Sequence, residues 1–299
     1  MKKNDHIPRV AKALAVGQII QNGVVKILPD KLKTKFKHPV ISGPGPTLGI
    51  FDLYSRVKSK KNNYFNSYKT GVREEVFYFP GCGAALFFPD IGLASIYLLL
   101  KFGFNVVIPE DHMCCGYPLL ASGLGEEYDK NKLRNIKRIT AAIKKNNLLK
   151  NPNIQVLTSC GTCRESLSSY GLEHFLDKET KIKDSTQFLV EMVIYKGVPI
   201  PFIEKLNTDF LVYHQACHVE WSGVPKLKAA DVYREKLEKL FGVKLKLSPG
   251  CCGESGLGAL TSPSIYYTIK KRKKKNNLSK IYMNTKMTFQ YWLGVLRVR

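Results

Sequence analysis

The placement of cysteine constrains this chain more than any other feature. Five of its eight cysteines fall in three groups, each just after a strand-like run. Glu75-Val76-Phe77-Tyr78-Phe79 leads through Pro80-Gly81 to Cys82. Asn105-Val106-Val107-Ile108-Pro109 is followed by Cys114-Cys115-Gly116, and residues 154–157 by Cys160-Gly161-Thr162-Cys163. Helix-like segments at 92–102 and 125–147 separate these runs, and alternation of strand and helix is the pattern of a parallel sheet. All three groups then lie at carboxyl ends of strands, the edge at which open α/β sheets bind ligands. The expected fold class is α/β.

The same grammar repeats downstream. Asp209-Phe210-Leu211-Val212-Tyr213 leads to Cys217, residues 226–241 read as a helix, and a short strand at 243–247 leads to Pro249-Gly250-Cys251-Cys252-Gly253. Cys217 follows Cys82 by 135 residues, and Cys251 and Cys252 follow Cys114 and Cys115 by 137. Two cysteine groups at a near-constant offset, each on a strand end, point to an internal duplication. The expected organisation is a mostly helical N-terminal extension at 1–74, a first module at 75–178 and a second at 209–299. The join falls within 178–208, where Pro199 and Pro201 lie. The second module lacks a Cys-x-x-Cys pair. The 45-residue step from Cys115 to Cys160, carried forward from Cys252, ends on Arg297, so the second site is expected to be degenerate or cut short.

Thiolates are the ligands of zinc and of iron–sulfur clusters. A Cys-x-x-Cys turn puts two sulfurs on one centre. A glycine directly after two adjacent cysteines lets the backbone turn, so that both reach the same centre. A single zinc needs four ligands, whereas five thiols favour a multinuclear cluster. No segment reaches the roughly 18 apolar residues of a membrane span; the best, 91–104, contains Lys101 and reads as a buried helix. No secretory signal is recognisable, so the reducing cytoplasm is expected, where cysteines serve metal or redox chemistry rather than disulfides. The stretch 10–28 reads as an amphipathic helix, with peripheral contact to the inner membrane face as its alternative.

The formal net charge of +23 comes from 37 Lys and 10 Arg against 24 acidic residues. Readers of nucleic acid lean more on the bidentate fork of Arg, so nucleic acid is not the expected partner. A solvated Lys-rich surface, or attraction to an acidic partner or an anionic membrane, fits better. The run Lys270-Lys271-Arg272-Lys273-Lys274-Lys275 reads as a solvated helix face, with a docking patch as the sharper alternative.

The motifs Phe79-Pro80-Gly81-Cys82-Gly83, Cys114-Cys115-Gly116-Tyr117-Pro118 and Ser159-Cys160-Gly161-Thr162-Cys163 resemble those of the cysteine-rich CCG domain, as do Cys217-His218 and Cys251-Cys252-Gly253-Glu254-Ser255-Gly256. That family includes the cysteine-rich subunit of heterodisulfide reductase, the glycolate oxidase iron–sulfur subunit, lactate-utilisation proteins and the C-terminal region of FAD-linked lactate/glycolate-type dehydrogenases. The resemblance covers about residues 75–275. It implies an iron–sulfur centre, a [4Fe–4S] cluster first and [2Fe–2S] second, held by Cys82, Cys114, Cys115, Cys160 and Cys163. Cys217, Cys251 and Cys252 would mark a second site, too short of thiols for a five-cysteine cluster. Zinc is the alternative occupant at either site, with His214 or His218 completing the second. Where the family has Asp-Pro-Cys-His, this chain has Gln215-Ala216-Cys217-His218.

No catalytic residue stands out; His218 and Glu254 are the candidates for proton transfer. A ferredoxin-type run and a Gly-rich dinucleotide fingerprint are not recognisable, so FAD would come from a partner. The implied role is the electron-transfer subunit or domain of a flavin-linked 2-hydroxy acid oxidoreductase. Its donor would be a flavoprotein dehydrogenase subunit and its acceptor a quinone-linked or ferredoxin-type carrier. The alternatives are a thiol or heterodisulfide reductase subunit, and a zinc-stabilised interaction module without catalysis.

Overall fold

The structure is a computed structural model that describes residues 53–54, 64–65, 74–197, 210–214, 216–248 and five positions between 264 and 271. Its first sheet is built from β1 (Tyr64–Phe65), β2 (Glu75–Tyr78), β3 (Asn105–Val107), β4 (Ile154–Thr158) and β5 (Thr180–Asp184) in the order β1-β3-β2-β4-β5. The pairs β3–β2, β2–β4 and β4–β5 are parallel, and β1 lies antiparallel on β3. β2, β3 and β4 are buried at every position. Continuous apolar runs of that kind belong to sheets covered on both faces.

The covering helices are α1 (Pro89–Lys101), α2 (Tyr117–Ala121), α3 (Gly125–Lys145), α4 (Gly161–Ser168), α5 (Leu172–Leu176) and α6 (Ser185–Ile194). Side chains alternate across the sheet with period two. Val76, Tyr78, Val106 and Leu157 pack with Leu99 and Leu100 of α1 and Phe188 and Met192 of α6. Phe77, Phe79, Val107 and Val156 pack on the other face with Ile136, Ile139 and Ile143 of α3 and Leu167 of α4. A fully buried aliphatic such as Leu99 or Ile139 contributes about 1.5–3 kcal/mol. The helix after β2 therefore covers one face and the helix after β4 the other. The carboxyl ends of these neighbouring strands flank the switch point of the sheet, where such folds form a crevice.

The second sheet is a parallel pair, β6 (Phe210–His214) and β7 (Lys244–Ser248), joined through α7 (Ala229–Phe241). Trp221, Tyr233, Leu237 and Leu245 form its core together with Val190 of α6. Helix α6 thus serves both cores, because it is apolar on two sides. The fold is α/β throughout the described residues, as the alternation of elements implies.

The differences from the sequence reading are local. The stretch 178–208, within which the join of the two modules is expected, holds two elements the sequence did not announce, β5 and α6. β5 reads Thr180-Lys181-Ile182-Lys183-Asp184 and is half-exposed at every position. An edge strand needs no continuous apolar run, and its lysines guard the edge. The helix expected at 226–241 begins at Ala229, after Pro225 and a 3₁₀ turn at Lys226–Lys228. Most of the expected helical extension at 1–74 lies outside the described residues; Leu53 and Tyr54, which are helical, are buried in the first core. Among the described residues no helix is long and apolar enough to cross a membrane.

Candidate metal centre

Three loops at the carboxyl edge of the first sheet bring five thiols together. After β2 the chain turns at Gly81, and Cys82 opens a π-helical turn at Gly83–Phe87, closed by the Phe88 N–H donating to the Gly83 carbonyl at 2.7 Å. After β3 comes the buried pair Cys114-Cys115. After β4, Cys160 caps the N-terminus of α4 and Cys163 lies in its first turn.

The thiols sit in one unbroken row of interacting neighbours: Cys82 beside Cys114, Cys114 beside Cys115, Cys115 beside Cys163 and Cys163 beside Cys160. Two of the five, Cys114 and Cys160, are held low, and the other three are pushed up. Cys114 receives hydrogen bonds from Cys115 and Cys82, and the Gly116 N–H adds a third, so its thiol falls to about 3 despite burial. Cys82 and Cys115, which donate to it, are pushed up, Cys115 to about 12. Cys163 donates to both Cys115 and Cys160 and rises well above its ordinary value. Cys160 falls to about 6, through that bond and through the N–H groups of Cys163 and Thr162 at the helix start. The loops thus concentrate negative charge at one point and aim backbone amides at it. Five soft donors with amides directed at sulfur suit a sulfide-bridged iron cluster. Among the described residues no group of three or more His, Cys, Asp or Glu is arranged around a single ion.

Glycine is required twice. Gly81 has φ +60°, and a Cβ there would stand 2.6 Å from the Cys163 sulfur, so the β2 loop reaches the Cys-x-x-Cys turn only because its side chain is missing. Gly116 has φ +84°, and a Cβ would stand 2.6 Å from the Asn131 amide nitrogen. That amide is part of a clamp on the Cys-Cys-Gly loop. Asn131 and Asn135 of α3 donate to the Cys114 carbonyl at 3.0 and 2.7 Å. Ser166 of α4 and the Tyr170 hydroxyl each donate to the Cys115 carbonyl at 2.8 Å. Asn135 also donates to the Tyr170 hydroxyl at 2.9 Å, so the two carbonyl anchors are tied together. Asn135 is 1% exposed. Asn135→Leu removes both its bonds and is expected to cost about 1–3 kcal/mol, read as a lower denaturant midpoint at unchanged slope. An unchanged midpoint would show that the clamp does not hold the loop.

A second network fixes the β4 end. The Ser159 hydroxyl lies 2.7 Å from those of Tyr78 and Ser95 and 3.3 Å from that of Ser185. Ser95 donates its proton to the Ile91 carbonyl at 2.9 Å, so Ser159 donates to Ser95 and Tyr78 donates to Ser159. Burial pushes Tyr78 up to about 12, which keeps it a donor.

The second half adds one loop to the rim. His218 hydrogen-bonds Glu165 through Nδ1, and its ring meets Tyr117 edge-on at 5.1 Å. Its neighbour Cys217 is exposed. Cys251, Cys252 and Glu254 lie outside the described residues. The residues that sequence alone did not single out are Asn131, Asn135, Ser166 and Tyr170, and Ser159 stood only as the residue that leads into the Cys-x-x-Cys motif. Asn131 and Asn135 carried a signal: two amides four apart on the stripe of α3 that also buries Tyr128, Ile136, Ile139 and Ile143.

Residues 76–168 match the family model described as the cysteine-rich CCG domain. The chain is similar to lactate utilization protein A of Shouchella clausii, 28% identical over 205 residues, covering 64% of this chain and 76% of that protein. It is also similar to an uncharacterized iron–sulfur protein of Methanococcus maripaludis, 26% identical over 201 residues, covering 66% of this chain and 36% of the relative. A fumarate reductase (CoM/CoB) subunit of Methanothermobacter marburgensis is 24% identical over 198 residues, again 66% and 36%. The match spans about a third of the two methanogen relatives and about three quarters of lactate utilization protein A. The three loops that carry the five thiols all fall within the matched segment, and the chain accordingly carries, in residues 76–168, a domain of the cysteine-rich CCG family.

Proposed function

We propose that this chain is the iron–sulfur electron-transfer subunit, or domain, of a flavin-linked oxidoreductase acting on a 2-hydroxy acid of the lactate or glycolate type. The observation that carries the reading is the chain of five thiols from three strand ends, held by two separate hydrogen-bond networks. Cys82, Cys114, Cys115, Cys160 and Cys163 are its ligands, and a [4Fe–4S] cluster suits that donor set. An iron–sulfur centre bound there supplies one-electron transfer. The protein's own work is to hold the thiolates, to shield them from water and to direct the N–H groups of Gly116, Tyr117, Thr162 and Cys163 at sulfur. Those N–H groups favour the more negative, reduced state of the site. Similarity to lactate utilization protein A supports the choice of substrate class, and similarity to a fumarate reductase subunit supports work within a multi-subunit oxidoreductase. The hydride chemistry then belongs to a flavoprotein partner, and a quinone-linked or ferredoxin-type carrier takes the electrons onward. The modules at 75–178 and 209–299 arose by duplication, with Cys217, Cys251 and Cys252 the remnant of a second site. The chain works in the cytoplasm, with peripheral contact at the inner membrane face as the alternative.

Stoichiometric photoreduced flavin mononucleotide, added anaerobically to the purified holoprotein, is expected to bleach its visible absorption. L-lactate or glycolate alone is expected to leave that absorption unchanged. Failure of reduced flavin to bleach it contradicts the electron-transfer role. Bleaching by the hydroxy acid alone contradicts the assignment of substrate chemistry to a partner.

A further inference from the structure

The two halves of the chain meet at the Cys-x-x-Cys helix, and they meet through charge. Arg164 follows Cys163 directly and is 4% exposed. Its guanidinium pairs with Glu220 of the second half. Glu165, next along α4, pairs with His218 and lies 3.5 Å from the Lys226 ammonium, both in the second half. A Cβ on Gly161 would stand 2.6 Å from the His218 carbonyl oxygen, so the loop backbone rests directly on the first turn of α4. Tyr117, two residues after Cys115, meets the His218 ring edge-on.

One short loop, 217–221, therefore touches the residue between Cys160 and Thr162, both residues after Cys163, and the residue that opens α2 beyond the Cys-Cys-Gly turn. Trp221, at the end of that loop, is 4% exposed and anchored in the second core edge-on to Tyr233 at 4.9 Å. A burial of Arg with one carboxylate partner and one anchored loop is costly to leave unpaired. Such a contact is retained where it fixes geometry.

We propose that loop 217–221 is the closing wall of the thiol site, and that Arg164, Glu165, His218 and Glu220 are positioning residues that lock α4 in register with the other loops. The proposal rests on the reading of the five thiols as one site. It assigns the second half a role that needs none of its own cysteines: it holds Cys160 and Cys163 against Cys115 and keeps solvent from them.

The test uses the full chain in two states. In the metal-free chain, His218→Ala and Glu220→Gln are expected to raise the rate of iodoacetamide modification at Cys160 and Cys163 about tenfold, the change that loss of about 1.4 kcal/mol of closure produces. Modification of Cys82, which faces the other core, stays at the wild-type rate. Glu220→Asp restores protection, and circular dichroism melting shows that each variant stays folded. In the iron-loaded chain, the same variants lose iron to a chelator about tenfold faster. Wild-type modification rates in both variants overturn the proposal. Because modification is measured without metal, it decides the proposal even where the wild-type chain takes up no iron, which instead overturns the iron–sulfur reading.

Discussion

Cys163→Ser is expected to leave a folded chain that does not retain iron. Cys163 is 2% exposed, and its thiol bonds two others, Cys115 from the Cys-Cys-Gly loop and Cys160 from its own. Gly81 is packed against its sulfur. A serine oxygen is a harder donor on a shorter bond, and it cannot take the place of sulfur. Loss of an outer-shell partner alone weakens metal binding about 10–100-fold, so loss of this ligand exceeds that. The fold pays only for a buried hydroxyl, about 1–3 kcal/mol, because Ser nearly matches the shape of Cys. Iron per chain after anaerobic reconstitution, together with the thermal midpoint, separates the two effects. Full iron in Cys163→Ser would break the ligand assignment.

Gly116→Ala is expected to strain the Cys-Cys-Gly loop by two additive routes. The residue has φ +84°, where an L side chain costs about 1–2 kcal/mol. The new Cβ also displaces the Asn131 amide, 2.6 Å away, and so loosens its bond to the Cys114 carbonyl, a loss of about 0.5–1.5 kcal/mol. Gly123 offers the matched comparison. Its φ is +75° and nothing lies within 4 Å of a Cβ there, so Gly123→Ala carries the backbone cost without the collision. Chemical denaturation of both variants should place Gly116→Ala lower, and iron retention should fall in Gly116→Ala alone. Equal losses in the two would show that the Asn131 contact has no part in holding the loop.

The strand ends that carry thiols were legible because buried parallel strands are continuous apolar runs, and Phe77, Val106 and Val156 each lie inside one. β5 was not legible, since a half-exposed edge strand with Lys181 and Lys183 carries no such run. α6 hid in plain sight: Phe188, Val190 and Met192 face two different cores, so its apolar residues follow no single stripe, and Pro199 and Pro201 drew attention to a join instead. The thiols themselves could be grouped from spacing and motif. Their support could not, because Asn135 meets Tyr170 and Ser166 meets Cys115 only after α3 and α4 dock on the same sheet face. The contacts of Arg164 and His218 across the halves are further still from the sequence, since ion pairs between distant segments leave no periodic trace.

The electron-transfer role of this chain turns on the five thiols of the first sheet holding one iron–sulfur centre. The decisive quantity is the iron, acid-labile sulfide and zinc content of the chain purified without oxygen. About four irons and four sulfides per chain are expected. One zinc with no iron or sulfide would contradict the assignment.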